Sequence, residues 1–404
     1  MRQAAALRAL RHRSFRLFFV GQGISIVGTW VQTIALSWLM YRLTGSTALL
    51  GLTTFLSQAP VLFIGPFSGW LGDQYDRRRL LIATQALLLI QALCLGILVL
   101  AGWSSPSLLL GMAALQGLLG GLDTPIRQSF LGEMVPDKSD LPNAIALNSF
   151  LMNGGRLLGP MVAGLLLAQV SEGVCFLINA VSYAAVVGAV LAMKTAGSAH
   201  AAAARRRDGS RWIDALRYAW NTPVIRGLLP LVMANSFFAS PYVTLMPAIA
   251  RDVFGGGPGT LGLLVGCAGL GGIAATAVLA TRTGIRGLER WTRIACAMAG
   301  LCLAAFSFTT ILPLALPLMV GVGAGIIGTA ASVNMQLQTQ VEDRFRGRMI
   351  SLYVMSFLGL APFGGLWAGL LAEHIGTSAT LATGGLFCVL AAGVSRMPRP
   401  NRSL

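Results

Sequence analysis

Three charged side chains interrupt the long apolar stretches of this sequence, namely Asp123, Arg127 and Arg156. Asp123 and Arg127 stand four residues apart, a spacing that puts both on one face of a helix. In apolar surroundings a carboxylate can take up a proton and a cation can bind an anion, so both types mark candidate sites. A structural ion pair is the alternative for Asp123 and Arg127, and a packing role is equally open for Arg156.

The other residue types with catalytic chemistry do not form a catalytic pattern. His12, His200 and His374 are far apart, and the sequence has no metal-ligand spacing, no nucleophile–histidine–acid arrangement and no nucleotide-binding glycine loop. All six cysteines fall in apolar runs without a Cys-x-x-Cys pair, which is typical of small buried side chains. The sequence therefore predicts no enzyme, no catalytic residue, no metal and no cofactor.

The elements that carry the three charges are apolar helices. Hydrophobic residues make up 55% of the chain, charged residues only 11%, and the mean hydropathy is +0.71. Apolar runs of roughly 20 residues are long enough to cross a bilayer as helices. We predict an all-α membrane protein with twelve spans, at 15–41, 46–72, 80–101, 106–130, 142–170, 173–193, 224–250, 258–281, 291–311, 313–338, 347–373 and 376–395.

The net charge of +16 is explained by membrane topology and needs no nucleic-acid partner. When the spans are threaded from a cytoplasmic N-terminus, most of the 30 Lys and Arg residues fall in tails and loops on one side. Basic residues accumulate on the cytoplasmic side of membrane proteins. We therefore predict that both termini are cytoplasmic and that most of the protein is embedded in the lipid bilayer.

Two similar halves flank a polar linker. The repeated sequences are VPDK at 135–138 with VEDR at 341–344, and AGLL at 163–166 and 368–371. A repeat of this kind predicts two six-helix bundles in the same orientation, with a site near the membrane midplane at their interface. The predicted parts are an N-terminal bundle at 1–193, a cytoplasmic linker with a short amphipathic helix at 194–223, and a C-terminal bundle at 224–404.

Two motifs resemble signatures of the major facilitator superfamily of secondary transporters. The first, approximately Gly-x-x-x-Asp-Arg-x-Gly-Arg-Arg, is matched by Gly69, Asp73, Arg77 and Arg78, with Gln74 and Asp76 as departures. The second, the antiporter signature Gly-x-x-x-Gly-Pro-x-x-Gly-Gly, is matched by Gly155, Gly159, Pro160 and Gly164, with Ala163 replacing one glycine. Segments at 123–130, 143–149, 156–160 and 346–353 further resemble the bacterial branch of enterobactin exporters and drug-efflux proteins.

The resemblance implies a twelve-helix exporter of a medium-sized organic molecule, siderophore or drug-like, that works by alternating access in a bacterial inner membrane. Because the sequence has no ATP site, a gradient-driven carrier is favoured; proton antiport is expected, with Asp123 as the candidate proton site. The expected partners are a small-molecule substrate and lipid, and a monomer is expected. An uptake carrier for a small metabolite is one alternative, and a non-transporting receptor or assembly factor is the other.

The resemblance also implies a cytoplasmic gate, which would contain Gly69, Asp73, Arg77, Arg78, Asp123 and Arg127. Asp73 is expected to reach the start of the eleventh helix near Arg348, and Arg77 is expected to reach Asp123. The additional carboxylate at Asp76 is expected to compete for Arg77. Arg78 is equally well explained as an anchor that fixes membrane orientation.

Polar residues that recur at helical spacing predict a wet central cavity. The candidate lining residues are Gln22, Thr29, Gln116, Arg156, Asn235, Asn334 and Gln338. Each polar side chain is also explained on its own by hydrogen bonding between neighbouring helices.

Overall fold

The computed structural model describes residues 7–193, 212–282, 284 and 287–395, and every regular element in these ranges is a helix. The first half contains α1 (Arg13–Thr44), α2 in two parts (Thr47–Gln58 and Pro60–Gln74), α3 (Arg77–Leu100), α4 (Pro106–Phe130), α5 (Leu141–Leu167) and α6 (Glu172–Ala192). A short linker helix, Trp212–Asn221, precedes the second half.

The second half has the same number of long helical segments. These are α7 (Pro223–Ala234, Asn235–Ala239, Tyr242–Ala248 and Ile249–Val253), α8 (Pro258–Ala280), α9 (Leu288–Ser307), α10 (Leu312–Gln340), α11 (Asp343–Val354, Met355–Gly359 and Ala361–Ile375) and α12 (Thr377–Val394). The parts Asn235–Ala239, Ile249–Val253 and Met355–Gly359 are π-helical turns, which often mark functional segments inside α-helices.

Ten helices in the described ranges are long and apolar enough to cross a membrane. α5 contributes a shorter apolar segment, Leu158–Leu167. In α9 the first turns carry Arg290 and Arg293, which lower its hydropathy. The predicted class, an all-α protein of membrane-spanning helices, is confirmed.

Local sequence explains where α3 begins. The carboxylate of Asp76 accepts a hydrogen bond from the backbone N–H of Arg79 at 2.8 Å, which is the usual geometry of a helix N-cap. The helix therefore begins at Arg77, a few residues before its predicted start. Asp76, which was expected to compete for Arg77, thus caps α3.

The chain separates into two contact units. The first comprises Met1–Thr44 and Leu56–Arg205, and the second comprises Gly45–Phe55 and Arg206–Leu404. In the first unit, a core cluster that includes Phe15, Phe18 and Phe130 lies around the ends of α1, α3 and α4. The second unit has its own cluster, which includes Leu228, Leu337 and Met349. Each unit therefore has an apolar core of its own.

Glycines of the predicted antiporter motif allow α1 and α5 to pack closely. A Cβ atom at Gly159 would lie 2.6 Å from the Cβ and ring atoms of Trp30, and a Cβ at Gly155 would overlap the side chain of Ile26. Small residues at such positions let helices approach each other in lipid, where hydrophobic collapse does not drive association. The structure thus gives Gly155 and Gly159 a packing role.

We expect Gly159→Val to destabilise the protein, because the added methyl groups must displace the Trp30 indole. Overpacking of this kind costs about 1–3 kcal/mol. Thermal unfolding in detergent should show a lower midpoint. The matched control is Gly154→Val, since a Cβ at Gly154 meets no atom within 4 Å. Equal midpoints for the two variants would contradict the packing role.

Candidate functional site

Asp123 lies at the centre of a buried polar cluster in the first unit. It is on α4 and is only 5% exposed. Its Oδ1 atom accepts hydrogen bonds from the Thr84 hydroxyl at 2.9 Å and from the Gln85 amide at 2.8 Å. Its Oδ2 atom lies 3.3 Å from Nε of Arg127, which is 8% exposed. The spacing of four residues therefore does produce an ion pair.

Helices α3 and α4 both contribute side chains to this cluster, because the buried charge of Asp123 needs partners from more than one helix. A carboxylate removed from water is costly unless donors replace its hydration. Arg127 balances the charge from the next turn of α4, while Thr84 and Gln85 supply two neutral donors from α3. Oδ1 thus has two hydrogen-bond donors and Oδ2 faces the guanidinium, so both carboxylate oxygens have polar partners inside the protein.

A second buried network joins four helices through side-chain amides. Gln32 of α1 donates to Gln91 of α3 at 3.0 Å and to Gln116 of α4 at 3.1 Å. The amide of Asn179 on α6 donates to the carbonyl oxygen of Gln32 at 2.6 Å. Gln32 and Asn179 are fully buried. Gln32 is therefore the junction of the first unit, and Gln116 is a hydrogen-bond partner within the helix packing.

Thr29 and Tyr183 lie beside this network. The Thr29 hydroxyl donates to the backbone carbonyl of Ser25 at 2.9 Å and is 3.2 Å from the Tyr183 hydroxyl. Tyr183 belongs to α6, as does Ser182, whose hydroxyl donates to Oδ1 of Asn179 at 2.9 Å. Polar side chains of α1 and α6 therefore continue the contacts of Gln32.

Sequence reasoning missed Gln91, Asn179 and Tyr183. Each is a hydrogen-bonding residue near the middle of an otherwise apolar span, and that signal was available. The pairing itself was not available, because it depends on the rotation of each helix about its own axis.

The structure describes part of the predicted gate. Arg77 lies 3.2 Å from Oε1 of Glu133 and donates to the carbonyl of Gly72 at 3.1 Å. Its carboxylate partner among the described side chains is thus Glu133, whereas the sequence analysis expected Asp123. Glu133 directly follows α4, so it lies closer to the beginning of α3 than Asp123 does. Gly69 and Asp73 lie on the second part of α2, and the side chain of Asp73 lies outside the described residues.

Arg78 binds the end of α6. Its guanidinium donates to the backbone carbonyls of Val190 at 3.1 Å and Leu191 at 3.0 Å. The last carbonyls of a helix lack internal partners and carry partial negative charge, so an arginine there stabilises the helix end. This contact gives Arg78 a specific structural role besides membrane orientation.

The remaining predicted cavity residues differ in their surroundings. Asn235 is fully buried, and its side-chain amide donates to the backbone carbonyl of Ile326 at 3.1 Å. This hydrogen bond links α7 to α10. Gln22 is 4% exposed. Gln338 donates to Asn334 at 3.0 Å on an exposed face of α10.

The side chain of Arg156, the remaining cavity candidate, lies outside the described residues. Pro160 and Gly164 of the predicted antiporter motif lie within α5.

A third charged cluster binds the residues before α1. The buried carboxylate of Asp140 lies 2.7 Å from Nη2 of Arg11, 2.9 Å from Nε2 of His12 and 3.8 Å from Nε of Arg8. The hydrogen bond with His12 lowers the pKa of Asp140, and burial opposes this in part. A carboxyl group whose pKa is lowered by folding stabilises the folded state at neutral pH. This stabilisation is lost in acid, as the pH falls through the pKa of the folded state. His12 therefore helps hold the segment that precedes α1.

Membrane-spanning helices with buried ion pairs and polar networks are typical of membrane transport proteins. The sequence matches the family profile described as a transmembrane secretion effector over residues 4–401. The chain belongs to this family of the major facilitator superfamily, whose members are transporters and not enzymes.

Two curated relatives align along most of the chain. The staphyloferrin A transporter of Staphylococcus aureus is 26% identical over 379 residues, which cover 92% of each protein. The multidrug efflux pump Tap of Mycobacterium tuberculosis is 25% identical over 370 residues, which cover 88% of this chain and 86% of the pump.

Solved structures share the fold. A bacterial homologue of the human lysosomal transporter Spinster, in an inward-facing and occupied conformation, superposes with a TM-score of 0.75 at 13% identity. The alignment covers 94% of this chain and 95% of the homologue. The nucleoside transporter NupG gives a TM-score of 0.70 at 13% identity, with 95% and 98% covered. At these identities the likeness shows the fold alone.

We expect Gln32→Leu to destabilise the protein, since it leaves Gln91, Gln116 and Asn179 without their shared partner. Buried polar groups that lose a partner cost about 1–3 kcal/mol. Thermal unfolding in detergent measures the loss. Gln128→Leu is the control, because Gln128 is on an exposed face of α4. If both variants unfold at the wild-type temperature, Gln32 is not a structural junction.

Proposed function

We propose that this protein is a proton-coupled exporter of a medium-sized organic molecule, siderophore or drug-like. It works as a monomer by alternating access in a bacterial inner membrane, with both termini in the cytoplasm. The names of the two relatives, a staphyloferrin A transporter and a multidrug efflux pump, support this substrate range. The excess of Lys and Arg in tails and loops of one predicted side supports the orientation.

The buried carboxylate of Asp123 is the observation that carries the proposal. An ionisable group inside a membrane-spanning helix is expensive and typically belongs to an ion pathway. When ionised, Asp123 attracts Arg127 and accepts from Thr84 and Gln85. Protonation removes the charge that attracts Arg127. Arg127 is then released for a new contact, and the hydrogen bonds that Thr84 and Gln85 of α3 donate to Asp123 weaken, so a proton changes the packing of α3 against α4.

The other predicted site residues have separate roles in this proposal. Arg156, near the middle of α5, is the cation that meets an anionic group of the substrate. Asp73, Arg77 and Glu133 form the cytoplasmic gate, and the contact of Arg77 with Glu133 supports the latter two. Arg78 holds the end of α6 beside this gate.

We expect Asp123→Asn to reduce proton-driven transport about tenfold or more, because the asparagine amide cannot exchange a proton at physiological pH. Binding should be retained, since an amide keeps the shape of the side chain. The measurement uses proteoliposomes with an imposed proton gradient and two probes, staphyloferrin A and a macrolide antibiotic. Probe exchange without a gradient should continue in the variant.

Asp252→Asn is the control, because Asp252 is exposed on the predicted outer side. Gradient-driven transport by Asp123→Asn at the wild-type rate would contradict the proton role. Net movement of probes in the opposite direction would support an uptake carrier. Binding of neither probe and no gradient-dependent flux would support a receptor or assembly factor.

A further inference from the structure

Glu373, at the end of α11, caps the beginning of α2. Its Oε2 atom accepts hydrogen bonds from the backbone N–H groups of Thr47 at 2.8 Å and Ala48 at 3.0 Å. The hydroxyls of Thr47 and Ser46 lie 2.9 Å and 3.1 Å from the same oxygen. One carboxylate oxygen thus meets four donors at the positive end of a helix dipole, where negative charge is favourable.

The cap belongs to a longer contact within the second unit. A Cβ atom on Gly51 would lie 2.8 Å from the carbonyl oxygen of Gly365, so the backbones of α2 and α11 touch there. One turn further along, the rings of Phe55 and Phe363 pack edge to face with centroids 5.3 Å apart. The segment Gly45–Phe55 therefore packs as part of the second unit, although it lies in the first half of the sequence.

The first part of α2 does not depend on Glu373 in order to be helical. The hydroxyl of Ser46 accepts a hydrogen bond from the backbone N–H of Leu49 at 3.3 Å, so the helix has a cap of its own. Glu373 is also exposed, so water can replace it at the N–H groups of Thr47 and Ala48. A capping contact that is strong, accessible and supplied by another helix can be broken without unfolding α2.

The chain of α2 is also interrupted close to this contact. The helix is divided at Ala59, before Pro60, and the boundary between the contact units falls at Phe55 and Leu56. Proline removes one backbone N–H and disrupts the preceding turn, so such a position can bend. The first part of α2 is therefore held by Glu373 on one side and followed by a bendable position on the other.

We propose that Glu373 is a releasable latch for the transport cycle. It holds the first part of α2 on α11 in the described conformation and lets it separate in another. The cytoplasmic gate proposed for Asp73 joins the end of α2 to the start of α11, whereas Glu373 joins the end of α11 to the start of α2. Carboxylates at opposite ends of the same two helices would then stabilise alternate states. The inference rests on the proposed transport function.

Double electron–electron resonance tests the latch without a substrate. Spin labels are placed at Leu49→Cys and His374→Cys, next to the cap, in a variant with the six native cysteines replaced. We expect two distance populations, and we expect Glu373→Ala to lower the ratio of short to long distances about fivefold, the factor that corresponds to loss of a helix cap. Glu373→Gln, which keeps an acceptor oxygen, should have a smaller effect.

Glu172→Ala is the matched control. Glu172 is also a carboxylate at the predicted outer face, but it pairs with Arg42 of α1 at 2.9 Å, so the distance ratio should stay at the wild-type value. If Glu373→Ala does not fold, Glu373→Gln and Thr47→Val provide the test. A single distance population in the wild type, or an unchanged ratio in the folded variants, overturns the proposal.

A second measurement separates the latch from the transport function. A reversible bifunctional thiol reagent across the same two cysteines should stop transport of staphyloferrin A or a macrolide, and reduction should restore it. Undiminished transport in the crosslinked protein overturns the latch. If neither probe is transported by the uncrosslinked protein while the distance ratio still falls in Glu373→Ala, the latch stands and the proposed function fails.

Discussion

Burial of polar groups away from water is the constraint on which this structure depends. A helix that crosses a membrane satisfies its backbone internally, but each amide, carboxylate or guanidinium among its side chains must find a partner within the protein. In the first unit, Gln32 meets three other amides, and Asp123 meets Thr84, Gln85 and Arg127. These partners select one rotation for each helix, and apolar packing then fills the remaining space.

The polar contacts fall into two kinds with different consequences. Neutral amide contacts such as those of Gln32 do not change with protonation, so they keep a bundle rigid. In the transport cycle that we propose, the contacts of the ionisable groups Asp123 and Glu373 are the ones that a proton or water exchanges. Alternating access requires both kinds, since rigid bodies must move and the contacts that hold each state must be breakable.

The helical membrane fold could be predicted from the sequence, because hydropathy and the length of an apolar run are local properties. The sequence was also sufficient for the pair of Asp123 and Arg127, because a spacing of four residues fixes their contact on one helix. It was not sufficient for Arg78 at the end of α6 or for Glu373 at the start of α2. Those contacts join residues more than 100 positions apart, at 112 for Arg78 and 326 for Glu373. Among the described side chains Arg77 contacts Glu133, 56 positions away, where Asp123 was expected, because this contact too depends on how two helices pack together.

Proton release on substrate binding tests the central claim most directly. The molecule that the proteoliposome assay identifies as exported is added to purified protein in weak buffer containing a pH indicator. Linkage requires that a proton-coupled exporter lose protons when its substrate binds. We expect release from the wild type and none from Asp123→Asn, with substrate bound in both. Equal release from both proteins would contradict the assignment of Asp123 as the proton site.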